Sequence, residues 1–142
     1  MKYRRGVFIV VYRKNIFKRK YLILKRKLHW KGWEFPKGGI RTKEKILYSI
    51  KREIKEETGS TPFNVKNHKI KGKYKYKKNL KDRKGIIGQT YQLYSAEIKN
   101  KKIKLDKKEH SSYKWVSFKK ALKLLTYPNQ KKSLKIVERD LK

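Results

Sequence analysis

Four of the eleven carboxylates of this chain fall in the stretch KGGIRTKEKILYSIKREIKEETGS, residues 37–60, although the chain carries 44 Lys and Arg. They are Glu44, Glu53, Glu56 and Glu57. From Thr42 to Thr58 the spacing is helical. At about 100° per residue, Glu53 and Glu57 stand one turn apart on one face, with Glu56 beside them. Glu57 also projects into the apolar stripe of Ile46, Leu47, Ile50 and Ile54, the side expected to face the protein, while Lys51 and Lys55 face away.

An inward carboxylate is costly unless it is paired or bound to a metal. The C-terminal end of a helix adds to the cost, because its dipole favours cations and repels anions. Ordinary surface pairing with Lys51, Lys55 or Arg52 is the bland alternative. Exposed pairs contribute only about 0–1 kcal/mol each, too little to explain three acids crowded at the negative helix end. A hard divalent cation resolves the conflict, since Mg²⁺ takes oxygen ligands and uses one or two carboxylates together with substrate phosphates. The expected cofactor is Mg²⁺ or Mn²⁺, on a helix that serves as a metal platform.

The neighbouring elements must hold that helix in place. RRGVFIVVYRK (residues 4–14) and RKYLILKRKLH (19–29) read as strands, being rich in β-branched and aromatic residues. GWEFPKGGI reads as a loop because of its Pro and glycines. Thr42 is the expected N-cap of the helix, and Gly59 its C-terminal left-handed residue with Pro62 just beyond. Two further strands are expected over FNVKNHKIKGKYKYKK and IIGQTYQLYSAEIK, joined by a basic loop from Lys77 to Lys84. SYKWVSF reads as a short strand. SFKKALKLLTY and NQKKSLKIVERDL read as helices broken at Pro128. Strands before, between and after helices indicate an α/β domain with a mixed sheet.

With 142 residues and 37% apolar composition, one domain spanning 1–142 with an ordered core is expected. Nothing resembles a secretory leader or a span of about 20 apolar residues, so no membrane partner and a cytoplasmic location are expected. The absence of cysteine excludes disulfides and thiolate metal sites. The net charge of +33 either marks a polyanionic partner such as a nucleotide or RNA, or is generic Lys-rich surface. Its even spread along the chain favours the second for most lysines.

Gly38, then five residues, Glu44, then seven residues, then REIKEETGS resembles the Nudix box, matched at Gly38, Glu44, Arg52, Glu53, Ile54, Glu56, Glu57 and Gly59. Ser60 departs from the pattern, which has an apolar residue there. The resemblance implies a Nudix-type α/β/α sandwich that hydrolyses a nucleoside diphosphate linked to another group. It implies Glu53, Glu56 and Glu57 as metal ligands and catalytic groups, and Arg52 as the residue orienting a box carboxylate. Glu44 would cap or support the helix, and the Gly38–Gly39 turn would let a main-chain carbonyl approach the metal.

Before the box, WEFPKGG resembles the version found in dinucleoside tetraphosphate hydrolases, RNA 5′-pyrophosphohydrolases and decapping enzymes. Downstream, KLDKKEHSSYKWVSFKKALKLLTYPNQKKSL resembles the asymmetric diadenosine tetraphosphate hydrolases within that family, through Glu109, His110, Tyr113, Trp115, Ala121, Leu122, Tyr127, Lys131 or Lys132, and Leu134. The likeness extends over most of residues 4 to 136. It implies Glu109 as a carboxylate outside the box that binds metal or orients water. It also implies Tyr76 and Tyr127 as the pair that sandwiches an adenine, and Lys37 as a phosphate contact. Core packing for the tyrosines and a solvated loop for Lys37 stay open. Several animal relatives carry His where this chain has Gly39, so that phosphate contact is missing or comes from the loop holding Arg83. The reaction implied is hydrolysis of diadenosine tetraphosphate to ATP and AMP by a monomer. The alternatives are RNA 5′-pyrophosphohydrolysis, to which WEFPKGGI and the basic surface are suited, or nucleotide or RNA binding without catalysis.

Overall fold

The computed structural model describes residues 2–142. The strand β1 (Lys2–Lys14) holds GVFIVVY, buried from end to end. A strand so placed reads as a continuous apolar run because both of its faces are covered. Val7, Ile9 and Val11 face one core with Ile50 and Ile54. Phe8, Val10 and Tyr12 face the other with Ala121, Leu125, Leu134 and Val137. Those partners lie on α1 (Ile46–Thr58) and on α2 (Phe118–Leu124), its C-cap Leu125 and α3 (Pro128–Asp140), respectively. The result is the α/β/α sandwich expected from the sequence.

Between the helices lies a seven-stranded mixed sheet. Its remaining strands are β2 (Arg19–Arg26), β3 (Gly32–Glu34), β4 (Lys37–Gly39), β5 (Phe63–Lys75), β6 (Ile86–Glu97) and β7 (His110–Val116). The order β3-β2-β1-β6-β5 has β1 and β6 parallel, while β4 pairs with β1 and β7 with β2. This topology places the end of α1, the β4 segment and the start of β7 beside one another.

Several sequence expectations need correction. GWEFPKGGI is not wholly a loop: two three-residue strands, β3 and β4, flank Pro36. The main α1 helix starts at Ile46, with Lys45 as N-cap and no side-chain cap, so Thr42 does not cap it. Lys43 adopts a left-handed conformation, φ 64°, which turns the chain before the helix. Glu44 secures that turn by accepting from the Arg41 backbone N–H at 3.0 Å and the Ser49 hydroxyl at 2.7 Å. Leu47 is not in the buried stripe but 56% exposed. Ile50 and Ile54 take the core contact, flanked by Ser49, Glu53 and Glu57. Gly59 ends the helix as expected: at φ 78° its N–H reaches the Lys55 carbonyl at 2.9 Å. The next residue, Ser60, is buried with its Oγ unpartnered, so the departure from an apolar residue leaves a hydroxyl in an apolar position.

Candidate active site

The last two turns of α1 bring three carboxylates to the mouth of a cavity of about 540 Å³. Glu57 is 1% exposed, and neither of its oxygens has a hydrogen-bond partner among the described residues. Burial pushes its carboxyl well above the usual range, and the charges of Glu53 and Glu109 push it further. Glu53 is also buried; burial raises it to about 7 against the pull of Arg52. Glu56 lies at the rim, about half exposed, 3.7 Å from Arg41.

Arg52 organises this end of the helix. Its Nε and Nη2 donate to the two oxygens of Glu44 at 2.7 and 2.9 Å, and Nη2 also reaches the Gly39 carbonyl at 2.9 Å. Its Nη1 donates to Glu53 at 2.7 Å. The bidentate partner is therefore Glu44, whose carboxyl the Arg52 hydrogen bonds hold far below the usual range. Gly38 passes directly under Glu53, where any Cβ would collide with the carboxylate. Only glycine lets β4 lie this close to the acidic cluster.

Opposite α1, Glu109 immediately precedes β7, with an oxygen 3.8 Å from Arg26 Nη1. One ligand atom each from Glu57, Glu109 and His110 lies within 4.8 Å of the others. Behind them sits Glu34, 1% exposed, which accepts from His110 at 2.8 Å and Arg26 at 3.3 Å and lies 3.4 Å from Lys37 Nζ. Burial alone would raise the Glu34 carboxyl; Lys37, the His110 hydrogen bond and Arg26 outweigh it and hold the group at about 2. Burial pulls the Lys37 ammonium down, against the opposing pull of Glu34. Lys37 is thus a buried ion-pair partner and not a solvated loop lysine, and it lines the acidic cavity together with Arg4, Arg26 and Arg83.

A second cavity, about 450 Å³ in volume, lies alongside and is lined by Phe8, Trp30, Tyr74, Tyr76, Leu80 and Tyr127 among others. Tyr76 follows the end of β5 and Tyr127 precedes α3, so elements distant in sequence bring the two rings to one hollow. Neither ring belongs to the packed cores. Tyr127 meets Trp30 edge-on at 6.3 Å, and the Tyr76 hydroxyl accepts from Arg83 at 2.8 Å. Trp30 and Lys37 line both cavities, so the apolar hollow and the acidic one share a wall.

The family model for the NUDIX domain matches residues 2–137. The chain belongs to the Nudix family. It is 31% identical over 131 residues to an 8-oxo-dGTP diphosphatase of Buchnera aphidicola subsp. Schizaphis graminum, covering 91% of this chain and 88% of that protein. A shorter likeness, 34% over 64 residues, is to an RNA pyrophosphohydrolase of Hydrogenovibrio crunogenus, covering 45% of this chain and 36% of that protein. The fold is also that of a C. elegans Ap4A hydrolase solved as a binary complex, with TM-score 0.75, 24% identity and 97% of each chain covered. The chain is a Nudix pyrophosphohydrolase by these relationships, and its relatives differ in substrate.

A divalent cation, which Nudix hydrolases generally use, fits the residues present. The donors are hard carboxylate oxygens, and both oxygens of the buried Glu57 lack a partner among the described residues. Glu53, Glu56, Glu57 and Glu109 would hold it. Sequence reasoning passed over Glu34, Arg26, Trp30 and Tyr74. A signal for Glu34 was present: a lone Glu three residues before Lys37 in a chain otherwise dominated by basic residues.

Proposed function

We propose that this Nudix hydrolase cleaves dinucleoside tetraphosphates asymmetrically, diadenosine tetraphosphate yielding ATP and AMP. The observation that carries this reading is the shared wall of Trp30 and Lys37, which sets an aromatic hollow directly beside a cluster of carboxylates. A base held between Tyr76 and Tyr127 gains about 1–3 kcal/mol from each stacked face. The attached phosphates then extend past Lys37 toward Glu53, Glu56, Glu57 and Glu109. Asn129 Oδ1, shielded and unpartnered beside the hollow, is placed to accept from a purine N–H.

In this reading Arg4, Arg26 and Arg83 balance the phosphate charge in the acidic cavity. Arg52 and Glu44 keep Glu53 aimed inward, and Glu109 faces the cluster from the start of β7, where it orients the attacking water. A divalent cation held there would supply a more acidic water and would offset charge on the phosphates. Hydrolysis of an oxidised nucleoside triphosphate is the second reading, favoured by the likeness to the 8-oxo-dGTP diphosphatase over 91% of this chain.

Product analysis with diadenosine tetraphosphate, 8-oxo-dGTP and 5′-triphosphate RNA in parallel tests the assignment. The expected result is the highest kcat/KM for the dinucleotide, with ATP and AMP in equal amounts. A higher kcat/KM for either other substrate would overturn it.

A further inference from the structure

His110, the first residue of β7, is wholly buried. Its Nε2 lies 2.8 Å from Glu34 Oε2. Its other ring nitrogen, Nδ1, is shielded from solvent and has no partner among the described residues. The same is true of both oxygens of Glu57. The ring offers one ligand atom within 4.8 Å of an oxygen of Glu57 and an oxygen of Glu109. Buried polar atoms are almost always paired, so unpaired ligand atoms on two neighbouring buried side chains call for a common partner.

We propose that His110 is a nitrogen ligand, through Nδ1, of a divalent cation shared with Glu57 and Glu109, and that Glu34 positions the ring by accepting from Nε2–H. The inference rests on the reading of α1 as a metal platform. Histidines that bind metals generally donate their other ring N–H to a carboxylate, which fixes the tautomer and makes the ligating nitrogen more basic. Glu34 is that carboxylate here, and Arg26 and Lys37 in turn hold Glu34 in place. The consequence is a site of mixed donors. Carboxylates alone suit Mg²⁺ and Mn²⁺, whereas an added imidazole is accepted more readily by Mn²⁺ than by Mg²⁺ and shifts preference toward borderline cations such as Co²⁺ or Zn²⁺.

The full chain, grown with ¹⁵N-labelled histidine and loaded with one equivalent of Mn²⁺ alone, is examined by electron–nuclear double resonance. The expected result is one strongly coupled histidine nitrogen. It disappears in His110→Gln, whose Mn²⁺ dissociation constant rises by about ten-fold or more while its Mg²⁺ constant changes less. Mn²⁺ that binds wild-type protein without a coupled nitrogen overturns the histidine ligand and leaves the carboxylate platform intact. That outcome would assign a water to Nδ1. Failure of Mn²⁺ to bind overturns both the platform and the inference. If His110→Gln does not fold, His29→Gln and His68→Gln decide the matter, because the coupled nitrogen must persist in both.

Discussion

Arg52 and Glu44 face each other through two parallel hydrogen bonds, Nε to Oε2 at 2.7 Å and Nη2 to Oε1 at 2.9 Å. The remaining guanidinium nitrogen is left to hold Glu53 at 2.7 Å. One planar fork thereby ties the turn before α1 to the carboxylates at its end.

Arg52→Lys keeps the charge and loses the fork. Its ammonium cannot bridge both Glu44 oxygens and Glu53 at once. Turnover is expected to fall about 10- to 100-fold, the range seen when a partner that orients metal ligands is removed. Steady-state kinetics beside a thermal melt checks this, and unchanged kcat would show that Glu53 needs no such restraint.

Glu57→Gln is expected to lose several orders of magnitude in turnover and yet to melt higher than wild type in chelator at pH 8. The folded carboxyl is raised above its ordinary value of 4.5. Without a cation, its ionisation therefore opposes folding, and the loss of stability begins above that value and grows as pH rises. Melts in chelator at pH 5 and pH 8 should show a larger drop for wild type than for the variant. A lower melting temperature for Glu57→Gln at pH 8 would mean that the carboxylate is a structural ion pair.

Glu34 behaves in the opposite sense. Its folded carboxyl is depressed to about 2, so it stabilises the protein above 4.5 and that contribution disappears as pH falls toward 2. Glu34→Ala leaves Lys37 buried without its anion and Arg26 with only Glu109, 3.8 Å away, at an expected cost of about 3–5 kcal/mol at pH 7. Urea unfolding of wild type and variant at pH 7 and pH 3 checks both points, and the difference between the two proteins should shrink in acid. A gap that stays constant from pH 7 to pH 3 would refute the linkage.

Tyr127→Ala is expected to raise KM for diadenosine tetraphosphate by roughly five- to a hundred-fold, the equivalent of about 1–3 kcal/mol of stacking. Binding of so small a substrate should depend moderately on salt. An enzyme that meets RNA through its Lys-rich surface would show a steep slope, about −0.7 for each single-strand phosphate contact. Faster turnover of RNA, a steep slope and indifference to Tyr127→Ala would together remove the dinucleotide assignment. A tyrosine serving only packing would lower the melting temperature and leave KM unchanged.

What the sequence by itself determined was local. The 3.6-residue period turned Glu57 inward, and Gly59 closed the helix, because both depend on residues within a turn or two. The β-branched and aromatic run of residues 4–14 likewise announced a strand. What only the tertiary structure decided depends on groups far apart in the chain. Thr42 loses the cap because Glu44, engaged by Arg52 eight residues on, secures the turn instead. Tyr76 and Tyr127 become one hollow only when the end of β5 meets the start of α3. Glu34 carries no periodic signal, because its partners come from β2, β4 and β7. A buried carboxylate's role is set by the charges that folding gathers around it, and these are Arg26, Lys37 and His110.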